Sequence, residues 1–369
     1  MGAYESQGKG GQVNVLTGYI VREILKGSLI AVLLLLTLFN LFTFSDQLKD
    51  LGKGHYGLTE IFYYLALTSP SVFYELMPAA ALLGSLFILG AMGNNRELIA
   101  MRAAGLSVLG IIKAVMVAGA ILVTISILVG EFVAPIAERS AQMVKVNAVD
   151  EGKVVMNVKY GLWLREDKKF INVRKIQDDG SLADISIYEL DDQRHLRYSM
   201  HAEKATFQGN QQWKLEQIKK SDISMEQISA TSQSDQIWQS AVAPDLLEIV
   251  VVSPNDLSMY DLAMYIDFLK DNHQKSHDFE LAFWGRVVNP LVVFVMLLVS
   301  APFVIGVKRG INVGGRMMIG VVIGMGFNII DKIAGHMGLI YDLNPPLMAI
   351  TPSLIVLVLS LFALSRVQA

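Results

Sequence analysis

The sequence predicts a membrane protein with six transmembrane helices and an all-β domain inserted between the third and the fourth. Three observations support this fold class. The 369 residues are 53% hydrophobic and 18% charged, with a mean hydropathy of +0.43, which is too apolar for an ordinary soluble chain. Several uncharged runs are long enough to cross a bilayer core of roughly 30 Å. Between them lies a polar region of about 140 residues whose apolar residues alternate.

Six apolar runs define the predicted spans, three in residues 16–135 and three in residues 277–369. The runs are residues 27–44, 76–95, 108–132, 287–307, 317–335 and 343–365. A shorter run at 58–67 predicts an interfacial helix that ends before Pro70, and Pro135 is expected to follow the end of the third span. Residues 1–15 have four glycines and no periodicity, so we expect them to be disordered or not native to the protein.

Positive residues mark one side of these spans, and positive loops stay on the cytoplasmic side of a membrane. They are Arg22, Lys26, Arg96, Arg102, Lys308, Arg309, Arg316 and Arg366. The short connection at residues 336–344 has neither Lys nor Arg, whereas Lys49 and Lys53 are exceptions in the first outer loop. Both termini are therefore predicted to be cytoplasmic, with the inserted polar region on the outer side.

The inserted domain is predicted at residues 136–255, where the apolar spacing changes from helical to alternating. Its predicted strands are residues 153–165, 170–176, 182–190, 194–207, 213–225 and 236–252. Short strands at this spacing, with no helices between them, predict a sandwich, barrel or roll. A connecting segment follows at 256–276. Its helix begins with a capping box of Ser258 and Asp261, and one face comprises Leu262, Tyr265, Ile266 and Leu269.

A charged interruption at residues 94–107, here termed the coupling segment, separates the second span from the third. Its ionisable and apolar residues recur at near-helical spacing, which predicts a small amphipathic helix at a membrane face. These residues are Arg96, Glu97, Ile99, Met101, Arg102 and Leu106. Ala100 permits close approach and Gly105 can end the helix, so the segment suits docking into a groove of a partner protein. The alternative is a solvated loop in which Glu97 is an ordinary surface carboxylate.

Composition excludes several classes of chemistry. The chain has 31 basic and 34 acidic residues, so its net charge of -3 gives no reason to expect nucleic-acid binding. Cysteine is absent, which excludes disulfides and thiolate sites. The sequence contains no Gly-x-x-x-x-Gly-Lys-Ser/Thr phosphate loop, no His-Glu-x-x-His and no Gly-x-Ser-x-Gly. We therefore expect a chain that is not an enzyme and that has no catalytic residues, no metal site and no cofactor of its own.

Two groups of residues are candidates for contact with lipid. The basic group is predicted at the outer membrane edge, either as a solvated rim or as ligands for phosphates of an anionic lipid. It comprises Lys49, Lys53, Arg139 and Lys145. The apolar group lies on the first and fifth helices, where packing against protein is the alternative to lipid contact. It comprises Phe39, Phe42, Phe44, Phe327 and Ile330.

Ionisable residues within apolar spans are costly and usually face protein or a water-filled cavity. Glu131 and Asp331 are such residues, near the ends of the third and fifth helices. They are interpreted either as parts of a proton relay or as structural ion pairs with Lys332 or a nearby Arg. On the fifth helix, Gly320 and Gly324 allow a neighbouring helix to approach closely or to slide.

The order of these elements, with several short strings inside them, resembles the LptF/LptG permeases of the lipopolysaccharide exporter of Gram-negative bacteria, nearer to the LptG branch. The strings lie at residues 16–20, 44–48, 77–84, 96–105, 131–135, 161–163 and 185–188. Each string alone is weak, but their order extends over nearly the whole chain. One position departs from the family, which often has a lysine where this chain has Thr43, so Lys49 or Lys53 would substitute there.

The resemblance implies a β-jellyroll at residues 136–255 and a heterodimer with an LptF-like permease. It also implies an LptB-like ATPase dimer, which binds ATP and Mg²⁺, and an LptC-like single-helix jellyroll protein. The implied ATPase contacts are Arg96, Glu97, Ala100, Met101, Arg102 and Gly105, with Glu97 at the acidic position of the family. Helices one and five would line a cavity for the acyl chains, and the basic group would bind the lipid phosphates.

The resulting hypothesis is a non-catalytic permease subunit in the bacterial inner membrane, with its β-domain in the periplasm. It would take lipopolysaccharide from the outer leaflet and pass it to a periplasmic β-jellyroll bridge, driven by ATP hydrolysis in the partner. One alternative is a membrane-anchored scaffold or sensor whose outer domain binds a ligand. The other is a proton-coupled transporter that uses Glu131 and Asp331.

Overall fold

The computed structural model describes two compact units within the chain. The described residues are 4–149, 156–177, 179–193, 195–223, 227–240, 242, 244, 253–305 and 313–368. The first unit comprises Met1–Phe42, Ser69–Ala134 and Glu280–Ala369, and it contains most of the apolar helices. The second unit comprises Thr43–Thr68 and Pro135–Phe279, and it contains the strands.

Nine α-helices occur in the described residues. They are α1 (Tyr4–Gln47), α2 (Leu58–Asn94), α3 (Glu97–Ala103), α4 (Val108–Leu128), α5 (Ala134–Val149), α6 (Met259–Asp271), α7 (His277–Ile305), α8 (Val313–Ile340) and α9 (Pro345–Gln368). The described part of the chain has six helical stretches long and apolar enough to cross a membrane: α1, α2, α4 with α5, α7, α8 and α9. The predicted six-span helical part is therefore confirmed.

Two expectations about helix ends are wrong, at Pro70 and at Pro135. Residues 4–15, for which disorder was one of two expectations, are helical and belong to α1. α2 continues through Pro70, which membrane helices tolerate when neighbouring groups and local adjustments satisfy the freed backbone groups. α4 passes through a π-helical turn, Val129–Val133, directly into α5. The third span therefore does not end before Pro135, and residues 136–149 are helical.

The first unit has an apolar core to which α2 contributes most. In the most apolar window of each stretch, 61% of the residues of α2 are buried, against 17% in α1 and 6% in α8. One cluster of buried side chains joins five helices, with Ile24 of α1, Ala81 of α2, Met101 of α3, Ala114 of α4 and Val293 of α7. α1 and α8 therefore present most of their apolar side chains outward.

The strands form one six-stranded antiparallel sheet in which each strand pairs with its neighbours in sequence. They are β1 (Met156–Glu166), β2 (Lys169–Ile176), β3 (Leu182–Leu190), β4 (Leu196–Gly209), β5 (Gln212–Ile223) and β6 (Ile228–Gln239). One face carries the core of this unit, with Ile171, Ile187, Trp213 and Leu215 almost fully buried. The inserted β-domain is thus confirmed.

The sixth strand begins at Ile228 and not at Gln236, so its predicted start is wrong. β6 is an edge strand, exposed along nearly its whole length and rich in Ser, Thr and Gln. A strand that is polar on both faces gives no alternating signal, and its pairing with β5 is a tertiary effect. Most of the predicted end of this strand, after Ser240, lies outside the described residues.

The helix predicted after the sheet is confirmed as α6. The Ser258 hydroxyl accepts a hydrogen bond from the Asp261 backbone N–H at 3.1 Å, which satisfies a donor at the helix start. The four predicted core residues, Leu262, Tyr265, Ile266 and Leu269, are all buried. Phe268 packs against the core of the sheet, so α6 belongs to the β-domain.

Candidate functional site

The coupling segment forms α3, a separate short helix between α2 and α4. Arg96 precedes it in the left-handed region with a φ of 60°. Gly105 follows it with a φ of 99°, which glycine adopts without steric cost. Ser107 then caps α4, because its hydroxyl accepts from the Gly110 N–H at 3.1 Å. Tight turns at both ends therefore set the position of α3.

α3 has an inner and an outer side. Leu98 and Met101, three residues apart and so on one face, are each 7% exposed and belong to the core of the first unit. Ile99 is 61% exposed, and Arg102 and Ala103 are also exposed. Of the six predicted contact residues, Met101 thus faces the core. An apolar side chain beside a cation on a rigid helix is a surface that a partner's groove can accept.

Glu97 lies at the side of α3 and is hydrogen-bonded within the chain. Its Oε2 accepts from the Tyr19 hydroxyl of α1 at 3.1 Å, and its Oε1 accepts from Asn95 Nδ2 at 3.2 Å. Both carboxylate oxygens therefore have a donor, and one of these donors comes from a different helix.

The basic group lies in the second unit, and each of its members pairs with an aspartate. Lys49 pairs with Asp46 at 2.7 Å, Lys53 with Asp50 at 2.7 Å, Lys145 with Asp50 at 3.0 Å, and Arg139 with Asp261 at 2.5 Å. A lipid phosphate would have to compete with these carboxylates for the same cations.

Exposure divides the basic group into two pairs. The side chains of Lys49 and Lys53 are 77% and 59% exposed, and ion pairs between exposed groups contribute little. Arg139 and Lys145 are 27% and 29% exposed. Arg139 binds the aspartate that opens α6, and Lys145 also lies 5.6 Å from the centroid of the Tyr64 ring. Lys49 and Lys53 are therefore freer to exchange partners.

The apolar group is also divided by the structure. Phe42 is 65%, Ile330 51% and Phe39 39% exposed, so these three lie on the open faces of α1 and α8. Phe327 packs against the buried core, and Phe44 stacks on Phe62 in the second unit with centroids 5.5 Å apart. The close approach predicted for α8 occurs at Gly320. A Cβ there would lie 2.6 Å from Leu86 Cδ1 of α2.

A buried polar cluster joins α2, the π-helical turn and α7. Arg286 Nη1 donates to the Glu131 carboxylate at 3.1 Å and to the Gly130 carbonyl at 2.8 Å. The Tyr74 hydroxyl donates to the Arg286 carbonyl at 3.2 Å. Glu131 thus has the Arg partner that one interpretation expected, which disfavours a free proton carrier. Asp331 forms no ion pair with Lys332 in the described part of the chain.

Sequence reasoning missed Arg286. It directly precedes the apolar run of α7, and a charge at that place resembles the flank of a span. The available signal was an intramembrane acid, Glu131, in need of a basic partner near a helix end.

These features define a multi-pass membrane protein with a short helix exposed between its second and third spans and a β-domain inserted after the third. A profile of the family Lipopolysaccharide export system permease LptF/LptG matches residues 18–366. The chain belongs to this family. It is accordingly a permease component and not a catalytic subunit, and its six apolar helices indicate a multi-pass inner membrane protein.

Two characterised relatives cover nearly the whole chain. The Lipopolysaccharide export system permease protein LptG of Haemophilus influenzae is 32% identical over 355 residues, which is 96% of this chain and 99% of the relative. The protein of the same name from Escherichia coli K12 is 31% identical over 354 residues, which is 95% of this chain and 98% of the relative.

Proposed function

We propose that this chain is the transmembrane permease subunit of an ATP-driven lipopolysaccharide exporter. The observation that carries the proposal is α3, which Leu98 and Met101 anchor to the bundle while Ile99 and Arg102 point outward. The sequence has no phosphate loop, so the energy would come from a separate ATPase that docks on α3 and binds ATP and Mg²⁺. The family match and the two relatives support lipopolysaccharide as the cargo.

The proposed assembly places the chain in the bacterial inner membrane with both termini in the cytoplasm and the β-domain in the periplasm. The positive residues of the short loops support this orientation. The partners are an LptF-like permease, an LptB-like ATPase dimer and an LptC-like jellyroll protein. The family, which comprises LptF and LptG permeases, supports a second permease as a partner.

The open faces of α1 and α8 are the proposed contacts for the acyl chains of the cargo. Moving a methylene from an apolar environment into water costs about 0.8 kcal/mol, so a lipid with several chains leaves the bilayer only if protein replaces most of those contacts. Phe42 and Ile330 offer such surface. Lys49, Lys53, Arg139 and Lys145 are the proposed phosphate ligands, and the cargo would then pass to the periplasmic jellyroll bridge.

The docking of the ATPase on α3 can be tested by co-purification of the intact complex. Ile99→Asp places a charge on the exposed side of α3, and Tyr260→Asp does the same at a 77% exposed position of α6. We expect Ile99→Asp to lower the recovered ATPase at least tenfold and Tyr260→Asp to leave it unchanged. Full recovery of the ATPase with the double variant Ile99→Asp/Arg102→Glu would contradict the proposal.

A further inference from the structure

We propose that Tyr19 is a positioning residue that transmits movement of α3 to α1, and that α1 pivots where its Gly27 meets Gly84 of α2. Chain connectivity links α3 only to α2 and α4, so α1 needs a side-chain link of its own. This inference rests on the proposed docking of an ATPase on α3.

The link between α3 and α1 has a polar and an apolar part. The Tyr19 hydroxyl donates to Glu97 Oε2 at 3.1 Å, across 78 residues of sequence. One and five residues further along α1, Ile20 and Ile24 are fully buried in the same cluster as Leu98 and Met101 of α3. The start of α1 is therefore attached to α3 itself as well as to the rest of the bundle.

The pivot is a backbone contact between two helices. A Cβ at Gly84 would lie 2.3 Å from the Ser28 nitrogen, and a Cβ at Gly27 would lie 2.4 Å from Ile88 Cγ1. Neither position can carry a larger side chain in this packing. Small residues at a crossing let two helix backbones touch, and we place the pivot at this close contact.

Beyond this contact, few residues of α1 are buried against the described bundle. Val32, at 2% exposure, is its last buried residue before Gln47, and Leu41 is 63% exposed. At about 1.5 Å per residue, Tyr19 lies roughly 12 Å from Gly27 and Leu41 roughly 21 Å on the other side. A shift at Tyr19 would appear nearly doubled at Leu41. The hydrogen bond from Asn40 Nδ2 to Ser69 Oγ, 3.1 Å long, would break in the movement.

Spin-label distances in the assembled complex test this coupling of α3 to α1 through Tyr19 and the pivot, here termed the lever. The chain has no cysteine, so Leu41→Cys and Phe87→Cys are its only labelling sites, one on α1 and one on α2. In the otherwise unchanged complex we expect ATP with vanadate to change the distance between the labels. Tyr19→Phe, which removes only the hydroxyl, should at least halve that change and lower lipopolysaccharide released per ATP several-fold. ATPase recovery and hydrolysis should stay within twofold. Tyr63→Phe, at a 56% exposed position of α2, is the control.

The outcomes separate the lever from the proposed function. Normal ATPase recovery with an unchanged distance shift in Tyr19→Phe would overturn the lever alone. Absence of any ATP-dependent shift in the otherwise unchanged complex would count against both. If Tyr19→Phe does not fold, Glu97→Gln and Glu97→Leu decide, since the amide oxygen still accepts the Tyr19 hydrogen bond and leucine cannot. Equal coupling in these two variants would overturn the lever.

Discussion

Arg286 supplies the hydrogen-bond donor that Pro135 lacks. In the π-helical turn, the Ala134 N–H bonds to the Val129 carbonyl, five residues back. The next donor in that pattern, for the Gly130 carbonyl, would be residue 135, and proline has no N–H. Arg286 Nη1 donates to this carbonyl at 2.8 Å. The third span can therefore continue through a proline because a side chain of α7 satisfies the carbonyl that the proline leaves.

The first prediction concerns the ion pair of Arg286 and Glu131, whose side chains are 5% and 19% exposed. Arg286→Met removes the cation that faces Glu131, and loss of one partner of a buried pair costs roughly 3–5 kcal/mol. We expect a clear loss of stability in denaturant unfolding of the detergent-solubilised chain. Adding Glu131→Gln to Arg286→Met should recover part of it. Unfolding of Arg286→Met at the same denaturant concentration as the original chain would contradict a stabilising role.

The second prediction concerns Gly130. A Cβ at this position would lie 2.3 Å from Cδ2 of the Tyr74 ring, so Gly130→Ala forces the π-helical turn away from α2. We expect it to lower the thermal unfolding midpoint, whereas Gly285→Ala on α7, which meets nothing within 4 Å, should not. The effect of Gly130→Ala should shrink in a Tyr74→Ala background. An equal effect in both backgrounds would show that this contact is not the cause.

The third prediction concerns the aspartates that pair with the basic group. Asp46→Asn releases Lys49, and Asp50→Asn releases Lys53 and Lys145. If these lysines bind lipid phosphate, each change should raise photo-crosslinking to lipopolysaccharide several-fold, because the competing carboxylate is gone. Lys49→Gln should lower it. A decrease in crosslinking with Asp50→Asn would mean that Asp50 holds the lysines in place for the lipid and does not compete with it.

The fourth prediction concerns pH and Tyr198 in the β-domain. Burial, followed by the nearby charge of Glu189, raises the pKa of Tyr198 to about 12. The unfolded chain releases this proton near the ordinary tyrosine pKa of about 10. The contribution of Tyr198 to stability is therefore fully present below that pH and is lost as the pH rises to about 12. Tyr198→Phe should show a smaller loss of stability in this window, measured by unfolding at fixed pH steps. Tyr341→Phe, at a 66% exposed position, should match the original chain.

The spans, the β-domain and α6 could be predicted from sequence because each has a strong periodic signal. Long apolar runs indicate spans, alternation indicates half-buried strands, and Ser258 with Asp261 indicates a helix start. These are local signals. They failed at Pro70, through which α2 continues, and at Pro135, where a guanidinium from α7 satisfies the carbonyl that the proline leaves.

The candidate site was predictable in position but not in its contacts. The coupling segment stands out as charge between two apolar runs, yet nothing local shows that Glu97 meets Tyr19 or that Met101 faces inward. The basic group was recognised by charge alone. Asp46 and Asp50, three residues before Lys49 and Lys53, were a local signal for two of its ion pairs. The pairs of Arg139 with Asp261 and of Lys145 with Asp50 are set by tertiary packing, which periodicity does not encode.

The most direct test of the central claim is lipopolysaccharide release from proteoliposomes that contain this chain with its proposed permease and ATPase partners. We expect release to require ATP, to persist without a proton gradient and to fall at least tenfold with Ile99→Asp in α3. Release that continues without the ATPase, or that is unchanged by Ile99→Asp, would contradict the account.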